Sequence, residues 1–183
     1  MSAPDNYSAT ERLRDGREVE IRALRPDDKD DMLAAVGRTG MQSLQRRFFV
    51  VKRGFSDKEI AYFMNIDFAN HVALAALAEE DGRKLIIGGG RYIVTDPGKA
   101  EIAFVVIDDY QGQGLGRTML GRLAAAALQR GVARLRALIV PDNAPVLGML
   151  RKYAPAARFT YDGEIYTADI PVPQLAMALP AAA

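Results

Sequence analysis

The stretch Tyr110-Gln111-Gly112-Gln113-Gly114-Leu115-Gly116-Arg117 separates two segments of different hydrophobic period. Before it, residues 100–107 are apolar on both faces, with Ala103, Val105 and Ile107 on one and Ile102, Phe104 and Val106 on the other. That pattern predicts a central strand covered on both sides. After it, Leu115, Met119, Leu120, Leu123, Ala124, Ala127 and Leu128 form one stripe at helical spacing, while Arg117, Arg122 and Gln129 face away. Gly131 is a natural stop for that helix. Glycines between a buried strand and a helix start let the backbone approach an anion, toward which the free N–H groups of the first helical turn point. The plainer alternative is a tight turn whose glycines only relieve backbone strain.

Working outward, residues 135–140 read as a further buried strand, joined to 100–107 by a helical crossover and so parallel to it. A helix is expected over 144–153, then a hairpin of 157–161 and 164–170 about Asp162-Gly163. Upstream, residues 71–78 and 85–94 form a strand pair turned at Asp81-Gly82, with Gly88, Gly89 and Gly90 marking a bulge. Ser56-Asp57-Lys58-Glu59 is a capping box, so a helix runs over 57–64. An amphipathic stretch covers 43–49. The first strand is 19–24, followed by a helix whose opening turns carry Asp27, Asp28, Asp30 and Asp31 as a solvated, dipole-matched end. The organisation expected is an N-terminal segment over 1–17, one mixed α/β domain over 18–172, and a loose, Ala- and Pro-rich tail over 173–183.

Composition removes several classes. The 183 residues carry 24 Lys and Arg against 23 Asp and Glu, a near-neutral balance that argues against a dedicated nucleic-acid binder. Cys is absent and His71 is the single histidine, which excludes disulfides, thiolate nucleophiles and multi-histidine metal sites. No metal site is expected, and His71 reads as a packed or edge residue. The apolar runs are too short to span a membrane, so a cytoplasmic protein with no membrane partner is expected.

Two familiar phosphate cradles fail on spacing. The third glycine of the dinucleotide fingerprint is replaced by Arg117, and Gly116-Arg117-Thr118 lacks the lysine of a P-loop. Gln111, Gly114 and Gly116 instead fit Gln/Arg-x-x-Gly-x-Gly, and this resembles the pyrophosphate loop of the GNAT superfamily of N-acetyltransferases, which bind acyl-coenzyme A. The order of elements is similar over nearly the whole chain. Arg47-Phe48-Phe49, the helix start at Ser56 and Ala100-Glu101-Ile102-Ala103-Phe104 more narrowly resemble bacterial protein lysine acetyltransferases. The resemblance implies a mostly antiparallel sheet opened between two parallel strands, with helices on both faces.

It also implies roles. Phe104, Val105 and Val106 would line the pantetheine arm through main-chain groups, with an N–H near Val106 for the carbonyl oxygen. The pyrophosphate would rest on amides from Gln111 through Gly112, Gln113, Gly114, Leu115 and Gly116 to Arg117, the last adding a cation. Asn143 would contact the cofactor or cap the following helix. Glu101, at the start of an otherwise apolar strand, matches the glutamate that serves such enzymes as general base, acting through a water. Leu150 stands where many relatives carry a tyrosine acid, and Tyr153, a turn later, should face differently. No general acid is assigned. Arg46, Arg47, Lys52 and Arg53 form a basic cluster suited to a helix end or to the cofactor's adenosine phosphate. The implied reaction moves acetyl from acetyl-CoA to an amine, on a protein lysine such as one of an acyl-CoA synthetase. A small amine as acceptor and a non-catalytic acyl-CoA sensor are the alternatives.

Overall fold

The computed structural model describes residues 4–49 and 54–179. Lys52 and Arg53 of the basic cluster lie outside the described residues. Eight strands form one sheet in the order β1-β2-β3-β4-β5-β6-β8-β7. They are β1 (Ser8–Arg12), β2 (Glu18–Ala23), β3 (His71–Glu80), β4 (Arg83–Asp96), β5 (Lys99–Val106), β6 (Arg134–Ile139), β7 (Arg158–Tyr161) and β8 (Tyr166–Pro171). All neighbours are antiparallel except β5 and β6. Among the described residues six α-helices complete the fold: α1 (Lys29–Gly37), α2 (Met41–Phe48), α3 (Asp57–Met64), α4 (Leu115–Gln129), α5 (Ala144–Tyr153) and α6 (Val172–Ala178). Among the described residues no helix is long and apolar enough to cross a membrane.

Local chemistry accounts for most of these limits. Ser56 accepts from the Glu59 N–H while Glu59 returns to the Ser56 N–H, so α3 starts at Asp57 as the capping box dictates. The register of β3 against β4 passes from Leu77–Ile86 to Ala76–Gly88, which leaves Ile87 as the extra residue of a bulge. Gly90 has a different task. A Cβ there would fall 2.8 Å from Leu123 Cδ1 and 2.9 Å from Met119 Cγ, so its bare backbone lets α4 lie close on the sheet.

Four expectations are corrected. The polar N-terminal segment supplies β1, which pairs with β2 from Ser8–Arg22 to Arg12–Glu18. Arg122, expected to face away, is buried because β1 extends over it; its guanidinium pairs with Glu11 and faces the Tyr7 ring. The segment expected to be loose after Pro171 continues as α6. Val172 and Leu175 there are fully buried and Leu179 nearly so, against α4. The spacing 172, 175, 179 is one apolar helical stripe, and Pro173 sits in the first turn, where a missing N–H costs nothing. Asp28 is not solvated. It holds Arg22 through two bonds of 2.7 Å, accepts from the Arg25 N–H at 2.7 Å, and both ion-pair side chains are under a tenth exposed.

Candidate active site

Strands β5 and β6 pair over only three rungs, Lys99–Arg134, Ala100–Leu135 and Glu101–Arg136, and then part. β5 runs on to Val106 with β4 still beside it. The Ile107 N–H donates to Ile87 O at 2.9 Å, which fixes the alternation of this edge. Odd residues turn their N–H and C=O groups to β4, and even residues turn theirs into the gap. Phe104 and Val106 therefore offer main-chain groups on an unpaired strand edge. The Val106 carbonyl accepts from Gln111 Nε2 at 2.9 Å, in keeping with that direction.

The glycine turn closes one end of the gap. Gly112 and Gly114 have φ of 72° and 93°, a region that a side chain resists. Gln111 is a strut: its N–H bonds Asp108 O, and its amide also reaches Ser43 Oγ on α2 at 3.0 Å. Behind the turn lies the β1–β2 hairpin. The Arg14 N–H donates to Gln113 O at 3.2 Å and Arg14 Nη1 to Gly112 O at 3.3 Å. Arg17 stacks on Tyr110, its Cζ 3.9 Å from the ring centre.

One cavity of about 450 Å³ fills the gap. Of the residues read from sequence, it is lined by Phe104, Val105, Val106, Gln111, Gly112, Gly114, Leu115, Gly116, Arg117 and Asn143. Gln113 and Glu101 do not line it. The Asn143 side chain caps α5, accepting from the Val146 N–H at 3.4 Å. Five cations line the cavity, Arg14, Arg46, Arg47, Arg117 and Lys152, and among the described lining residues there is no carboxylate. Arg46 is already paired with Asp142 at 3.4 Å, and in a chain of formal charge +1 the remaining cations give the cavity a locally positive field that favours an anion.

Arg14 and the lining role of Lys152 escaped sequence reading. Lys152 follows the α5 stripe and shares the cavity with Tyr153, over whose ring Arg117 Cζ stands at 5.2 Å. Burial would raise the Tyr153 hydroxyl, but a hydrogen bond with Lys152 and the charges of Lys152 and Arg117 hold it below the ordinary phenol range. Leu150 is buried in the core.

Glu101 closes the last paired rung, exposed, on the face of β5 that α2 covers. Its charge acts on Arg47, whose guanidinium burial pulls down to about 10. On the same face Arg91, opposite Ala103, donates to Phe63 O at 2.8 Å and meets His71 Nε2 at 3.0 Å. His71 Nδ1 lies 3.0 Å from Asn65 O, an acceptor only, and Arg91 is a donor only. The ring is therefore the neutral Nδ1–H tautomer, and burial followed by the Arg91 charge keeps its pKa low. It is a packed residue, held between Asn65 O and Arg91.

A mixed sheet split between two parallel strands, with a cation-lined glycine turn at the mouth, defines an acyl-transferase class of architecture. The pattern of the acetyltransferase (GNAT) family matches residues 39–154, and the chain belongs to that family. It is 32% identical over 126 residues to acetyltransferase PA5475 of Pseudomonas aeruginosa, covering 68% of each chain. It is 29% identical over 133 residues to acetyltransferase Pat of Mycolicibacterium smegmatis, covering 72% of this chain but 39% of that relative's length. The GNAT domain of S. lividans PAT superposes with a TM-score of 0.79 at 26% identity, over 90% of this chain and 96% of that one. At 16% identity, yncA of Salmonella typhimurium, solved with acetyl-CoA, shares the fold with a TM-score of 0.66 over 84% and 94%.

Proposed function

We propose that this acetyltransferase takes acetyl from acetyl-CoA and delivers it to a lysine side chain of a protein. The observation that carries the reading is the cavity: an unpaired strand edge at one end, Arg14, Arg117, Lys152 and bare helix amides at the other, and no carboxylate among its described lining residues. A thioester tail ending in phosphates has that polarity. Phe104 and Val106 pair with the pantetheine arm as a missing strand would. The free N–H groups of the turn and the first turn of α4 hold the pyrophosphate, and Arg14, Arg117 and Lys152 neutralise it. When bound, acetyl-CoA supplies an activated acetyl group on a leaving thiolate.

The rest falls to this chain. A lysine amine has a solution pKa near 10.4, so it must lose a proton before it attacks. Glu101, placed at the splay and open to water, takes that proton through a water molecule. The Val106 N–H faces the gap and donates to the developing oxyanion. Attack is direct: the new C–N bond forms as the thioester C–S bond breaks, and the chain has no Cys to carry an acyl group in between. No side chain is assigned to the departing thiolate: Leu150 is buried, and Tyr153 stands beside Arg117 at the phosphate end.

Calorimetry with coenzyme A and an acetylation assay on lysine peptides test this together. Binding of coenzyme A is expected, and Glu101→Gln should lower kcat by about 100-fold or more at unchanged coenzyme A affinity. Absence of coenzyme A uptake overturns the reading. Unchanged transfer in Glu101→Gln removes Glu101 as base, and transfer to small amines alone removes the protein acceptor.

A further inference from the structure

Arg47 occupies a costly position. It lines the cavity half-buried, and among the described residues its guanidinium makes no hydrogen bond and no ion pair within 4.0 Å. Its Cζ stands 4.6 Å from the centre of the Phe48 ring. Phe48, Phe55 and Phe63 pack edge to face beneath it, with centroid separations of 4.9 to 5.9 Å, and offer no acceptor. A second guanidinium, Arg91, shares this side and repels it. Arg91 spends donors on Phe63 O and His71 Nε2, both uncharged; the charge of Glu101 acts on Arg47, but among the described residues no carboxylate pairs with either guanidinium within 4.0 Å. The Arg47 fork of N–H donors, unpaired among the described residues and bordering the cavity, is open to a ligand that brings two acceptors.

The cofactor's phosphates are poorly placed to be that ligand. Helix α2 runs back along β5, with Ser43 beside Gln111 and Asp108 and Arg47 one turn later, toward Glu101. Glu101 precedes Val106 by five residues, about 17 Å of extended strand, and the glycine turn lies beyond Val106. Arg47 is therefore displaced toward the acceptor side of the splay, near the group that takes the proton.

We infer that Arg47, with Arg91 behind it, is a subsite that reads a carboxylate on the acceptor, so that the acetylated lysine is one flanked by an acidic residue. This rests on the transfer reading above and adds the substrate's chemistry to it. The planar fork of Arg47 binds the carboxylate in a bidentate pair while the neighbouring amine faces Glu101.

Three capped pentapeptides test it, each with a central lysine flanked on both sides by Glu, by Gln or by Arg. Each is assayed as acceptor with saturating acetyl-CoA and titrated onto the coenzyme A complex. The Glu peptide should exceed the Gln peptide about tenfold in kcat/KM and in affinity, with the Arg peptide weakest. Arg47→Gln should bring the Glu-to-Gln ratio to about one. Arg47→Lys, which keeps the charge and loses the fork, should retain part of it. Equal use of Glu and Gln peptides by the native protein overturns the inference, as does an Arg47→Gln variant that lowers all three alike with the ratio intact. If no peptide is acetylated, the transfer reading fails while the titrations still decide on Arg47. Free lysine is the remaining arm: strong preference for it, lost in Arg47→Gln, upholds the carboxylate subsite and overturns the protein acceptor.

Discussion

Arg14 is separated from Gly112 by 98 residues, yet it bonds the carbonyls of the glycine turn and lines the cavity beside it. Arg14→Ala should weaken coenzyme A binding about fivefold, roughly 1 kcal/mol, with the loss shrinking as salt is raised. Calorimetry at low and high ionic strength reads both effects. The residues whose place on the cavity wall was legible in sequence were those fixed by neighbours in the chain: Gly112, Gly114 and Gly116 by the strand before them and the helix after. Arg46 and Arg47 were legible as part of a basic cluster, whereas Arg14 acts across the fold, where spacing is silent. Arg122 shows the same limit from the other side. A helical wheel turns it outward, and only the unforeseen strand over it makes it interior.

Elements were legible where one face is apolar or an end is capped. Helices α3 and α5 coincide with the expected ranges, because a capping box starts one and Asn143 with Pro145 starts the other. Strand β1 escaped because it is an edge strand with polar side chains on both faces and no fully buried residue. Helix α6 escaped because three apolar residues over two turns are a weak signal in an Ala- and Pro-rich segment. Its packing is nonetheless tight: a Cβ on Gly121 of α4 would fall 2.9 Å from Leu179 O. Leu175→Ala should cost about 2–5 kcal/mol, since a fully buried leucine is replaced by a cavity. Urea denaturation of the full chain measures it, and a change under 1 kcal/mol would show that α6 contributes little.

Across the whole molecule, several groups have depressed pKa values, and His71 and Asp28 are the two of them that are buried. His71 has its pKa lowered by burial and by Arg91, so its stabilising contribution is complete above about 6.5, the unfolded value, and is lost as pH falls through the folded one. Burial pushes the Asp28 carboxyl up, but Arg22 and the Arg25 N–H outweigh it and hold the carboxyl low. Its contribution is lost in the same direction, below about 3.9. Thermal unfolding should therefore be flat from pH 8 to about 6.5 and decline below it. His71→Gln, with no ring to titrate, should flatten the upper part of the decline. A midpoint that rises on acidification contradicts both assignments. The same view of the whole gives the parted strands another meaning. Three rungs stitch a five-stranded leaf, β1 to β5, to a three-stranded one, β6, β8 and β7. A guest that pairs with one leaf while leaning on the helix that follows β6 clasps the two together, so loading the molecule and stiffening its seam are a single event.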